Sequence, residues 1–235
     1  MSSQMSMALI PYTPPIPPME FIRSIVEGNS GSKRISASVI SPRLSPFVIF
    51  LDIDGVVYNT PNQDGVFKKV AELFPDITGP YNNRVCSIAA SYFFDKKAVQ
   101  NLNCLIRAIE KVRNVLIVVS SSWRENRSVE ELQSTFFGIH EFSRYIVDKT
   151  PEKVSRKELG AYCPSKSHSE KYSSQCRAAE IQYWLNQHPE ITNYVVLDDN
   201  DDHLLAAFGE RFVMTNYRTL LTKEICENIL LQNIK

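Results

Sequence analysis

The chain has 235 residues, 43% of them hydrophobic and 22% charged, with a formal net charge of zero. This is enough chain of ordinary globular composition to bury a sizeable core, and the neutral balance excludes a general nucleic-acid coat, which is strongly basic. No apolar run approaches the ~18 residues of a membrane span, and no basic cluster followed by an apolar core opens the sequence, so neither a membrane partner nor a secretory signal is expected.

Residues 1–45 differ from the rest. Met7 to Pro18 holds five prolines, and Ser30 to Ser45 is rich in serine. This reads as a flexible, polyproline-like tail with a short helix at Met19 to Val26, able to dock a protein partner. From Phe47 a βα pattern begins, and 46–235 is expected to form one domain. Phe47 to Leu51 is a buried strand of a parallel sheet, ending in Asp52-Ile53-Asp54-Gly55. Val66 to Phe74 reads as helix. Asp95 caps a helix to about Val112 with Ala98, Leu102, Leu105, Ile106 and Ile109 inward. The strand Val115 to Val119 ends in Ser120-Ser121-Ser122-Trp123-Arg124. Ser128 and Glu131 form a capping-box pattern opening a helix to about Phe137. Tyr145 to Val147 is a short strand, and residues 152–176 are a polar loop or small insert. Arg177 to Gln187 is a helix with Ile181, Trp184 and Leu185 inward. The strand Tyr194 to Leu197 ends in Asp198-Asp199. A short helix, the strand Phe212 to Met214 and a helix from Leu220 to Ile234 complete the chain. The alternation predicts an α/β fold, a three-layer doubly wound (Rossmann-like) parallel sheet.

The five cysteines are odd in number and scattered, which fits free thiols in a reducing, cytoplasmic setting. Cys163, His168 and Cys176 match no common zinc spacing and read as part of a serine-rich loop.

In a parallel sheet, strands that end at Asp52, Ser120 and Asp198 point their polar termini the same way, where open α/β sheets bind ligands. Asp52 and Asp54 share a side of the chain if the extended conformation continues. Asp-x-Asp-Gly alone is equally compatible with an Asp-rich turn. It is no calcium loop, since Gln63 stands at the twelfth position where glutamate is needed. Asp52, Asp54, Asp198 and Asp199 together repel unless a cation sits among them, and a hard divalent ion, Mg²⁺, suits such oxygen donors.

In that order, Asp-x-Asp-Gly, strand-Ser, a basic residue and strand-Asp-Asp resemble the haloacid dehalogenase-like (HAD) hydrolases, from about Phe47 to about Thr222. Ser-Ser-Ser-Trp-Arg, Thr150-Pro151 and the stretch from Arg177 to Leu185 are similar to a small subfamily found alone or within Swiss-army-knife RNA-repair proteins. The resemblance implies an HAD-like fold with a minimal or small cap, and a Mg²⁺-dependent phosphatase forming an aspartyl-phosphate. Asp52 would be the nucleophile and Asp54 the acid and then the base. Ser120 would bind a phosphate oxygen, and Arg177 would stand where the family most often has lysine, with Lys166 and Lys171 as alternatives. Asp198 and Asp199, with Asp52 and the main-chain carbonyl of Asp54, would hold the metal. Dehalogenase relatives lack the second aspartate, so Asp54 argues against that chemistry.

Ser121 and Arg124 are candidate substrate contacts. Ser121 and Ser122 also suit a cap. Trp123 either stacks on a nucleobase beside an Arg124-bound phosphate, or packs beneath the active-site loop while Arg124 ties to an acidic neighbour. The expected substrate is a phosphorylated one, a nucleotide, nucleic-acid end or other phosphomonoester. The alternative is a binding protein on an HAD scaffold with catalysis lost or secondary.

Overall fold

The computed structural model describes residues 45–59, 72, 91, 94–152 and 176–233. The tail before Ser45, the expected helix at 66–74 and most of the expected polar loop lie outside them. Five parallel strands, β1 (Phe47–Leu51), β2 (Val115–Val119), β3 (Ile146–Lys149), β4 (Asn193–Asp198) and β5 (Phe212–Met214), form one sheet in the order β3-β2-β1-β4-β5. The order reverses at β1, which places a crevice at the carboxyl ends of β1 and its neighbours β2 and β4.

β1 is buried along its whole length. Its alternation feeds two cores, as a strand covered on both faces must. Phe47, Ile49 and Leu51 meet helices α1 (Lys96–Glu110) and α5 (Lys223–Asn233), together with the α2 segment (Val129–Glu131, continued by a π turn to Phe136). Val48 and Phe50 meet α3 (Arg177–Gln187) and α4 (Leu204–Phe208) on the other face. The result is the expected three-layer α/β sandwich.

Local signals act as their chemistry dictates. Asp95 Oδ1 accepts the Ala98 N–H at 2.8 Å, and α1 buries the five residues read as its inner face. Ser128 and Glu131 complete their reciprocal capping box. β3 runs further than its apolar residues alone indicate. Its polar end is held at the sheet edge, because Trp184 Nε1 donates to Asp148 Oδ2 at 2.7 Å and Lys149 pairs with Glu152 at 2.8 Å.

Cys104 and Cys226 are free, but Cys176 is disulfide-bonded to a residue outside those described. The expectation of free thiols fails there, since sequence spacing does not say which cysteines the fold brings within bonding distance. Among the described residues no helix is long and apolar enough to cross a membrane.

Ile49 lies at the centre of the middle strand with no exposed surface. Ile49→Ala is expected to lower the unfolding free energy by about 2–5 kcal/mol in urea titration, by lost burial plus an unfilled cavity.

Candidate active site

Because β1, β2 and β4 are in register, their carboxyl ends stand level: Leu51 pairs with both Val119 and Leu197. The ladder continues one step further, with Asp52 N–H donating to Leu197 O and Ser120 N–H to Leu51 O, each at 3.0 Å. Asp52 and Ser120, the first residues past β1 and β2, thus stand level with Asp198, the last residue of β4. Asp52, Asp54, Arg177, Asp198 and Asp199 all line one cleft of about 430 Å³, completed by Ser122, Asn200 and Asp202. A second hollow of about 500 Å³, beside the amino end of β4 and including Tyr194 and Arg211, gathers no carboxylate.

Asp52, Asp198 and Asp199 each offer an oxygen, all within 4.8 Å of one another. Arg177 enters from the first turn of α3. Its Nη1 lies 3.1 Å from Asp52 Oδ1 and 3.6 Å from Asp198 Oδ2. Its main-chain N–H donates to Asp202 Oδ2 at 2.9 Å, which ties the start of α3 to the loop after β4. Burial acts to lower the Arg177 guanidinium, but Asp52, Asp198 and Glu180 outweigh it, and the net direction is upward. Burial, then the Asp52 charge, pushes the Asp198 carboxyl up to about 7, against Arg177 and the Asn200 N–H. The same two causes raise Asp199. Buried carboxylates that also repel one another are costly to ionise together, and such a set of hard oxygens fits a divalent cation.

Gly55 makes the cluster possible. It has φ +68°, and a Cβ there would fall 2.1 Å from Asp199 Cγ. Glycine thus supplies both the left-handed turn and the space for the second carboxylate. Thr215 Oγ1 donates to the Gly55 carbonyl at 2.9 Å and fixes the turn from β5. The Asp54 carboxylate stands apart from the three-acid cluster. Its Oδ2 accepts the indole N–H of Trp123 at 2.9 Å.

Two expected substrate contacts are not available to a ligand. Arg124 is 1% exposed. Its Nε donates to Thr150 O, Nη1 to Ser120 O and Ser121 O, and Nη2 to Pro151 O and Glu180 Oε2, at 2.7–3.1 Å. With its donors spent inward it is a tie between the ends of β2 and β3 and helix α3. Ser121 is buried and its Oγ caps the turn Ser122–Arg124, accepting the Trp123 N–H at 3.4 Å. Trp123 is 5% exposed and cannot offer its face to a nucleobase. Ser120 is fully buried, and its Oγ makes no hydrogen bond among the described residues. Ser122 is the serine that lines the cleft, and three consecutive serines carry no mark that separates it from its neighbours. Asp202 is legible as an acid in the run after β4, though it reads as a helix start; the acid that meets the first turn of α4 is Asp201, accepting the Leu205 N–H at 2.8 Å.

The fold and this acid-lined strand-end cleft define a haloacid dehalogenase-like hydrolase domain. The chain belongs to the family described as the HAD domain in Swiss Army Knife RNA repair proteins, whose model matches residues 48–226. No curated protein matches the chain.

Glu180 is 2% exposed and is pushed up to about 7 by burial, against the pull of Arg124 and Arg177. Removing either partner of the Arg124–Glu180 pair leaves a buried charge uncompensated. Arg124→Ala and Glu180→Ala are each expected to cost about 3–5 kcal/mol of unfolding free energy by urea titration.

Asp198 binds its proton more tightly folded than unfolded, because its folded value near 7 lies above the ordinary 3.8. Its contribution to stability is therefore lost as pH rises across that window, the reverse of a salt-bridged acid. Without added metal, the melting temperature of the wild type should fall more steeply between about pH 4 and pH 7 than that of Asp198→Asn. Parallel curves would refute the assignment.

Proposed function

We propose that the protein is a Mg²⁺-dependent phosphomonoester hydrolase that works through an aspartyl-phosphate. The observation that carries this reading is the convergence of Asp52, Asp198 and Asp199 within 4.8 Å beside Arg177, with Asp54 held separately on the same cleft.

Asp52 attacks phosphorus, and the bond to the leaving oxygen breaks as Asp54 gives that oxygen its proton. Water then attacks the aspartyl-phosphate, Asp54 takes the water's proton, and phosphate departs as Asp52 is regenerated. A carboxylate needs no base to act as a nucleophile at neutral pH, and one residue serves as acid and then base because the first step leaves it ionised. Arg177 neutralises charge on Asp52 and the phosphoryl group in a fork that suits phosphate. Ser122 is the hydroxyl that the cleft offers to a phosphate oxygen, whereas Ser120 is fully buried and is not among the lining residues. Asp52, Asp198 and Asp199, with the Asp54 carbonyl, would hold Mg²⁺, which supplies charge neutralisation between nucleophile and phosphate. Positioning and charge stabilisation of this kind account for most of phosphoryl-transfer catalysis.

The substrate class we infer is a nucleotide or a nucleic-acid end. Its support is membership of a family described from RNA repair proteins. With Arg124 and Trp123 buried, neither serves as its contact.

The test is phosphate release from nucleoside monophosphates and oligonucleotides phosphorylated at the 3′ or 5′ end, with and without Mg²⁺. Release is expected only with Mg²⁺, and Asp52→Asn should abolish it while retaining the fold. A folded wild type that binds Mg²⁺ and releases nothing from any of them would favour a binding role on the HAD scaffold.

A further inference from the structure

We propose that Trp123 is the positioning residue for the acid–base carboxylate, its indole N–H fixing the orientation of Asp54. This rests on the phosphatase reading above. The contact is a 2.9 Å hydrogen bond from Trp123 Nε1 to Asp54 Oδ2. An indole N–H donates and never accepts, so the oxygen it faces is held as an acceptor.

The donor is built not to swing away. The indole meets Tyr58 at 5.8 Å and 79° and Phe94 at 5.5 Å and 73°, both edge-on, and lies 6.0 Å from Phe137. With 5% exposure the ring has no other rotamer to occupy without opening this aromatic core. The main chain beneath it is fixed as well. Ser121 Oγ accepts the Trp123 N–H, and the buried Arg124 guanidinium holds the Ser120 and Ser121 carbonyls. A rigid donor on one oxygen aims the carboxyl group, and aim is what a proton transfer to a departing oxygen requires.

In the first half-reaction the Asp54 O–H bond breaks and a bond from that proton to the leaving oxygen forms. Over the same step the Asp52–phosphorus bond forms and the phosphorus–leaving oxygen bond breaks. In the second half-reaction water gives a proton back to Asp54 as the water oxygen bonds phosphorus and the Asp52–phosphorus bond breaks. The Trp123 N–H holds the carboxylate throughout.

The test compares two esters with the full chain and Mg²⁺. The phenolate of p-nitrophenyl phosphate leaves without help from an acid, whereas the alkoxide of thymidine 5′-monophosphate needs a proton. Trp123→Phe keeps the aromatic packing and removes the N–H. It should lower kcat/KM for the nucleotide by ~10²-fold, within the range of general-acid contributions, and affect the nitrophenyl ester far less. An equal loss on both esters, as from a merely structural defect, or no loss on either, overturns the proposal. A second readout needs no activity. The chain has two tryptophans, Trp123 and Trp184, so the indole N–H signals of the ¹⁵N-labelled protein are assigned by Trp123→Phe. Asp54→Asn should move the Trp123 signal and leave that of Trp184 in place. Hydrolysis with an unmoved indole overturns the positioning alone. A responsive indole with neither ester hydrolysed overturns the phosphatase reading, and the acid role with it.

Discussion

Arg124 is a full positive charge with almost no surface in water, and it is tolerated because acceptors from three parts of the fold surround it. Carbonyls of Ser120 and Ser121 follow β2, those of Thr150 and Pro151 follow β3, and Glu180 comes from α3. Burial pulls the guanidinium down, while the Glu180 carboxylate holds it up. Such a pair contributes little net stability against an apolar replacement, yet it demands that all its partners stay in place. That demand fixes where α3 begins relative to the ends of β2 and β3, and α3 begins with Arg177.

From this tie the charge order of the cleft follows. Glu180 sits 2.7 Å from Arg124 and 3.9 Å from Arg177 Nε, so one buried carboxylate steadies both the structural arginine and the one that reaches Asp52. Beyond them the balance turns acidic, and Asp198 and Asp199 are raised by burial first and then by the Asp52 charge, which Arg177 only partly offsets. The cleft is thus electrostatically unfinished on one side and fully compensated on the other. A phosphate and a cation together suit that asymmetry better than either alone.

Much of this was legible in the residues. An apolar run ending abruptly in a polar residue marks a strand end on a parallel sheet, and three such runs, ending at Asp52, Ser120 and Asp198, are three neighbouring strands. The inner face of α1 followed from its spacing, and the Ser128 capping box from its two residue types. What stayed hidden depends on direction rather than identity. An arginine after three serines has the same letters whether it faces solvent or lies beneath the loop. The tight turn Ser122–Arg124 sends it under, and turns the tryptophan to Asp54. Ser122 came into the cleft by the same turn. Cys176, bonded outside the described residues, shows the same limit for pairings across the chain.

Gly55 and Asp199 form a steric lock and key within the chain. Because a side chain at 55 and the carboxyl group at 199 would claim the same volume, position 55 cannot gain a side chain unless Asp199 moves. A relative bearing any larger residue at 55 must also have displaced the second acid of its Asp-Asp pair. Such a chain would retain the Asp-x-Asp signature to the eye and yet bring one carboxylate fewer to the cleft. The glycine, chemically mute, is then a better index of an intact acid cluster than the aspartates themselves.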